Sequence, residues 1–327
     1  MIREKEQMLS RVADSLYWMS RYLERAEHTA RLLNVNLFGR LDQQVDEDHR
    51  RWPRVLRSLT VPVREGQSLE AHSVVQRLSF DEDNRHSIVS CIAAARRSAR
   101  EVREQISSEM WEQMNRLFLN VQRMRSLPQS DTNTYEFLQA IQQGSHLFQG
   151  ITSTTMSRGE GWYFMQLGRF LERVTATVHL LDAHLRDYAG SEQLAGSPDE
   201  YLEWANLLKS CTALEAYCRV HTANILPERG ASFLLLDPDF PHSVRFGVDM
   251  VRAALEALSA SAPLLRSSDV HRRLGKLLSA LSFDLIEEIV AGDVHKFLAD
   301  IRTRSFEIHE AVYLSCISYP IDQALTD

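Results

Sequence analysis

Residues 20–34 read SRYLERAEHTARLLN, and residues 168–182 read GRFLERVTATVHLLD. Seven positions are identical at a single offset (169 − 21 = 148): Arg21/Arg169, Leu23/Leu171, Glu24/Glu172, Arg25/Arg173, Thr29/Thr177, Leu32/Leu180 and Leu33/Leu181. Tyr22 and Phe170 add an aromatic pair. Apolar residues around the first copy, Leu16, Met19, Leu23, Ala26, Ala30, Leu33 and Leu37, step 3-4-3-4-3-4, and Phe164, Leu167, Leu171, Val174, Val178, Leu181 and Leu185 repeat the rhythm. Each row is a heptad-like seam that must be buried against another helix. The chain is therefore committed to two related, well-packed helices. Apolar packing alone gives no reason to keep Glu and Arg in register as well.

Helical periodicity extends well beyond the repeat. With 13 Gly and 9 Pro in 327 residues, breakers are sparse, which favours long helices over many short strands. Asp81 to Asn84 offer caps for a helix running from about Ser87 to Arg125, and Thr134 to Thr155 reads as another. Ser157-Arg158-Gly159-Glu160-Gly161 is a tight connector into the second copy. After a polar break at 190–199, helices are expected at about 198–222, 243–260, 270–291 and 294–318. The run Phe233 to Pro241, with Pro238 and Pro241, reads as an extended or turn segment whose Leu234 to Leu236 plug into the core. No strand-like alternation stands out. The expected fold is all-α: one elongated helical bundle of residues 1–327 with two related halves, about 1–150 and 151–327.

The net charge of −7 argues against generic nucleic-acid binding, which needs a basic field. No signal peptide and no run of about 18 apolar residues is present, so neither export nor a membrane span is expected. Cys91, Cys211, Cys218 and Cys316 are scattered and read as core thiols of a reducing cytoplasm, with Cys211 and Cys218 two turns apart on one helix face. No Glu-x-x-His or His-Glu-x-x-His motif occurs and no His pairs with a Cys at ligand spacing, so neither a metal nor another cofactor is expected. No Gly-x-Ser-x-Gly elbow exists, and SRGEGW lacks the Lys-Ser/Thr of a phosphate loop.

Chemistry concentrates in the repeat. Arg25 and Arg173 lie within mostly apolar stripes. Glu24 has Ser20, Glu27, His28 and Arg31 around it, whereas Glu172 has Gly168, Thr175, Ala176 and His179. Glu172 thus stands on the less charged, more buried face, where a carboxylate is costly unless paired. Arg21/Glu24 and Arg169/Glu172 are i,i+3 pairs that can meet on one helix. Two outcomes are open: a dry ionic network fixing helix register, or a polar pocket for an anionic or peptide-like ligand. In the second, Glu172, Arg173 and Arg169 are the catalytic candidates, with Glu172 as acid–base, and Glu24, Arg25 and Arg21 support them. Glu109 could pair with Arg25 or Arg173, and Arg158 and Glu160 could reach a pocket rim. Trp162 packs the connecting turn, and Arg96, Arg100 and Arg103 share a basic helix side.

These segments resemble the Alpha-E family of bacterial all-helical proteins, named for a Glu-Arg motif. The resemblance rests on ADSLYWMSRYLERAEHTARLL, on REQISSEMWEQMNRLFL (103–119), on TMSRGEGWYFMQLGRFLERV (155–174) and on FLLLDPDFPHSVRF (233–246), four blocks covering nearly the whole chain. It marks Glu24, Arg25, Glu109, Trp111, Asn115, Arg158, Glu160, Trp162, Arg169, Glu172, Arg173 and Arg245 as motif positions. It implies a setting beside circularly permuted ATP-grasp and transglutaminase-like proteins, in peptide ligation or processing, with this chain as an accessory partner. An enzyme acting on peptide or amide bonds and a purely structural helical scaffold are the alternatives.

Overall fold

The computed structural model describes residues 2–38, 48–63, 66, 68–128, 130–188, 198–261, 268–283 and 294–314. All regular structure among them is helical: α1 (Ile2–Phe38), α2 (Asp48–Ser58), α3 (Ala71–Ser79), α4 (Ile88–Glu101), α5 (Ser108–Arg125), α6 (Asp131–Thr155), α7 (Glu160–Tyr188), α8 (Pro198–Ser210), α9 (Leu214–His221), α10 (Pro227–Leu236), α11 (Val244–Ser261), α12 (Ser268–Phe283) and α13 (Val294–Val312).

The two copies of the repeat form α1 and α7, which pack on each other at the centre of the core. Their contacts advance together. Gly161 faces Leu16, Gly168 meets the Tyr17 backbone, and Glu172 meets Arg21 and Arg25. The helices therefore run parallel and in register. Gly168 sits at the closest approach, where a Cβ would overlap the Tyr17 carbonyl oxygen. The first copy has Ser20 at that position, so only the second copy needs glycine here.

Packing around the central pair is duplicated. α1 contacts α4 and α6, and α7 contacts α11 and α13; α4 leads to α5 as α11 leads to α12. The second helices cross over, α2 packing mainly on α7 and α8 on α1. This matches α1–α6 with α7, α8, α10, α11, α12 and α13, leaving α9 as an extra element. Residue correspondences follow at offsets that drift with loop length. Trp52 and Trp204 (204 − 52 = 152) are both buried, as are Leu56 and Leu208. Both α2 and α8 end with a left-handed threonine, Thr60 at φ 54° and Thr212 at φ 53°. In each case the next N–H reaches back five residues, Val61 to the Leu56 carbonyl at 2.9 Å and Ala213 to that of Leu208 at 2.7 Å. A β-branched residue is strained in that conformation, where glycine would be free.

Several expected boundaries shift. The helix expected over 87–125 is two helices. The chain turns at 102–107, and Ser107 caps α5 by accepting the Met110 N–H at 3.2 Å. Ser87, rather than Asp81 to Asn84, caps α4. The helix expected over 198–222 breaks at Thr212, which puts Cys211 and Cys218 on opposite sides of the break rather than on one helix face. Phe233 to Leu236 are helical, closing α10, and only the residues from Asp237 to Ser243 form the turn; Leu234 and Leu235 are buried as expected. Helices α2 and α3 carry no expectation from the sequence. Residues 284–291 and 315–318 of the last two expected helices, and Cys316, lie outside the described residues.

Gly168→Ala should destabilise the protein by roughly 2–4 kcal/mol, because the obstruction is backbone that cannot rotate away. Gly150→Ala in α6, where a Cβ meets nothing within 4 Å, should instead be neutral or stabilising by up to ~1 kcal/mol. Urea denaturation of both variants reads the difference.

Candidate functional site

The Glu-Arg pairs of the two helices are exchanged. Glu172 accepts from Arg21 Nε at 2.8 Å and from Arg25 Nε at 2.5 Å, both from α1. Reciprocally, Glu24 accepts from Arg173 Nε at 2.5 Å and has Arg169 Nε at 3.6 Å, both from α7. The pairs open to Arg21/Glu24 and Arg169/Glu172 within one helix are therefore not the ones formed. Glu24 and Glu172 are buried, yet each is met by two guanidinium groups, which is how buried carboxylates are tolerated. Burial alone would push Glu172 up, but Arg25 and Arg21 outweigh it and hold the carboxyl at about 2. Both arginines that lower it belong to the other helix, and neither Arg169 nor Arg173 takes part.

The two ends of this cross are not alike. On the Glu24 side Gln149 of α6 bridges, its amide donating to Glu24 at 3.2 Å and its oxygen accepting from Arg169 at 2.7 Å. Arg173 Nη1 donates to the Pro241 carbonyl at 3.0 Å, and the Thr177 hydroxyl to that of His242 at 3.2 Å. Beside them Glu27 and Arg31 form a buried i,i+4 ion pair, with a 3.0 Å hydrogen bond from Arg31 Nε. On this side the protein's own groups take up Glu24 and Arg173, while Arg169 keeps about a quarter of its side chain exposed.

The Glu172 side holds a cavity of ≈ 100 Å³, lined by Arg21, Arg25, Thr29, His86, Glu172 and His179, with Ala176, His28 and the turn Ser58–Thr60 completing its wall. Arg25 is the more exposed partner of Glu172 and reaches His86 Nδ1 only at 3.5 Å. His28, His86 and His179 are all held below the ordinary histidine value by burial first and then by a nearby arginine, His28 to about 4. At neutral pH the wall thus carries two guanidinium charges against one carboxylate. Outside it, Arg21 Nη1 donates to Tyr17 OH at 2.9 Å and approaches His309 Nδ1 at 3.1 Å. Burial raises Cys91 to about 12, so its thiol is not a nucleophile in waiting.

The structure regroups the residues proposed from the sequence. Glu172, Arg25 and Arg21 line the cavity; Arg173, Arg169 and Glu24 form the closed counterpart, so Arg173 is not the partner of Glu172. Glu109 is exposed in the first turn of α5 and pairs with neither Arg25 nor Arg173. Arg158 stacks over Trp162 at 3.6 Å and bonds the Ser153 carbonyl, which fixes the connector. Glu160 opens α7 and lines a separate cavity of ≈ 450 Å³ with Trp162 and Glu104. Arg245 binds Asp249 at 2.8 Å on its own helix. Asn115 accepts from Arg96, whose guanidinium lies over Phe118. Sequence reasoning missed His86 and Gln149. His86 could have been found from a second repeat, Asp-x-Asp-x-x-His-Ser at 81–87 and 237–243, whose offset (242 − 86 = 156) differs from that of the first. Among the described residues, no group of three His, Cys, Asp or Glu could hold a metal, and no helix is long and apolar enough to cross a membrane.

A buried cross of two Glu-Arg motifs in an all-helical frame defines the class. The chain belongs to the Alpha-E family, described as a predicted alpha-helical domain with a conserved ER motif, whose model matches residues 8–315. It is 25% identical over 311 residues to an uncharacterized protein of Mycobacterium bovis and, at 25% and 24%, to uncharacterized proteins of two Mycobacterium tuberculosis strains. Each match covers 89% of this chain and 34% of the relative, so the chain spans about a third of the length of the curated relatives it matches. No solved structure matches it.

The depressed Glu172 gives a pH signature. A carboxyl lowered on folding stabilises the native state above its unfolded value, near 4.5, and that stability is lost as pH falls towards about 2. The contribution is on the order of 3 kcal/mol at neutral pH. Chemical denaturation from pH 6 to pH 2 should show this decline, and Glu172→Gln should flatten it.

Proposed function

We propose that this chain is a non-catalytic helical module that binds a ligand and a protein partner, in the cytoplasm, within a system of peptide ligation or processing. The partners are the circularly permuted ATP-grasp and transglutaminase-like proteins that the family resemblance implies. One observation carries the non-catalytic part: each motif carboxylate is spent on two arginines of the other helix. A carboxyl held at about 2 is unprotonated at neutral pH and too weak a base for efficient proton transfer. In the cavity a ligand meets Arg25 and a wall of neutral histidines, which suits recognition. The greater length of the relatives supports the reading of a module that works joined to, or beside, other domains.

Tagged protein should co-purify with the adjacent ATP-grasp or transglutaminase-like protein, alone or with a peptide substrate, and absence of any such complex would remove this reading. Glu172→Gln separates it from the enzyme alternative. A loss of stability, by about 3–5 kcal/mol, marks Glu172 as structural, because two buried guanidinium groups lose their partner. A variant with native stability and a lost peptide-processing activity would instead establish a catalytic Glu172.

A further inference from the structure

The closed half of the molecule shows what the open half lacks. About one to two turns beyond the motif glutamates, Glu27, His28 and Arg31 of α1 correspond to Thr175, Ala176 and His179 of α7 at the same offset of 148 (175 − 27 = 148). Beside the closed end of the cross Glu27 and Arg31 occupy each other, while His28 reaches across to the wall of the open cavity. That ion pair is fully buried. In the open half Thr175, Ala176 and His179, all smaller, line the cavity against the end of α2. The loops that close over the two sides are built alike. Asp83 N–H bonds Asp81 Oδ1 at 3.0 Å and Asp239 N–H bonds Asp237 Oδ1 at 2.9 Å; Ser87 and Ser243 each cap the helix that follows.

The loops differ at one carbonyl. In the closed half the Pro241 carbonyl accepts from Arg173. In the open half the corresponding Arg85 carbonyl is 3.7 Å from Cys91 Sγ, and Arg25 is left with the loose contact to His86. Cys91 stands where the other half has Gly247, so a side chain that the closed half lacks takes that carbonyl. His179 Nε2 and His28 Nε2, both in the cavity wall, have no hydrogen-bond partner.

We propose that this cavity is a carboxylate-binding site, taking the carboxylate end of a ligand the size of one amino acid beside Arg25, whose counterpart Arg173 is occupied by the Pro241 carbonyl. Arg25 supplies the guanidinium, with Thr29 and His179 as further donors, and the ligand's charge balances the excess of Arg21 and Arg25 over Glu172. The volume of ≈ 100 Å³ admits a single small residue rather than a longer segment. The carboxylate is that of a free amino acid or of the last residue of a peptide. This deepens the reading of a binding module by naming the chemistry of its ligand.

Titration of the full chain with L-alanine, Ala-Ala and the C-terminal amide of Ala-Ala, followed by NMR at the histidine side chains, tests the site. Saturable shifts at His86 and His179 with alanine or Ala-Ala, and none with the amide, are expected. Alanine alone binding identifies a free amino acid, and Ala-Ala alone a peptide terminus. The triple variant Thr175→Glu, Ala176→His, His179→Arg installs the residues of the closed half and should weaken binding by on the order of tenfold or more. Ala176→Leu, which intrudes on the same space with one side chain, should do the same should the triple variant fail to fold. Absence of binding by both carboxylate probes, equal binding of the amide, or undiminished affinity in a folded cavity-filling variant overturns the proposal. A stable complex with the ATP-grasp or transglutaminase-like partner alongside such a result would sink the carboxylate site and leave the module reading standing.

Discussion

Two carboxylates in the middle of a helical core set the terms for everything around them. Neither Glu24 nor Glu172 can be buried as an ion without donors, and the helix that carries each one does not supply them. The donors come from the other copy, which forces α1 and α7 to lie parallel, in register and close enough for Gly168 to touch the Tyr17 backbone. A shift of either helix by one turn would strand two charges on each side. The ion pairs act here less as a source of stability than as a register lock, since a hydrophobic seam alone tolerates several alignments. The shells of helices around the pair then follow in duplicate, α4 and α6 on one, α11 and α13 on the other.

A duplicated frame makes departures from symmetry informative. The cross itself is nearly symmetric, but the turn beyond it is not. Glu27 and Arg31 pair with each other on one side, and Thr175, Ala176 and His179 leave a cavity on the other. Arg25, at the cavity, is more exposed than Arg173, which is held by a carbonyl. One copy has become support and the other has stayed open. The open side is the one with neutral imidazoles and spare guanidinium donors, which favours binding over proton transfer.

Much of the frame was legible in the sequence. The all-helical fold, the paired central helices and the paired state of the buried glutamates follow from periodicity and from the cost of burying charge. The identity of the partners did not, because Arg169/Glu172 at i,i+3 offers a local solution while the true donors lie 147 and 151 residues away. The break at 102–107 stayed hidden because Val102 and Ile106 keep the helical rhythm through the turn. Phe233 to Leu236 looked extended because Pro238 lies close behind, although the helix closes before the proline acts. The cavity was legible as a contrast, Thr-Ala-Thr against Glu-His-Thr, which pointed to the Glu172 side as the more buried face, whereas Glu172 is the less buried of the two glutamates because its side opens. His86 was out of reach because its repeat runs at another offset, displaced by the loops between.

The exchange of partners between the two helices is the central claim, and a double-mutant cycle on stability measures it directly. Glu172→Gln, Arg25→Gln and Arg169→Gln are made singly and in the two pairs with Glu172, and coupling energies are taken from urea denaturation. The exchanged arrangement predicts a coupling of about 1–3 kcal/mol for Arg25 with Glu172 and close to zero for Arg169 with Glu172. A large coupling within α7 and none across to α1 would contradict it.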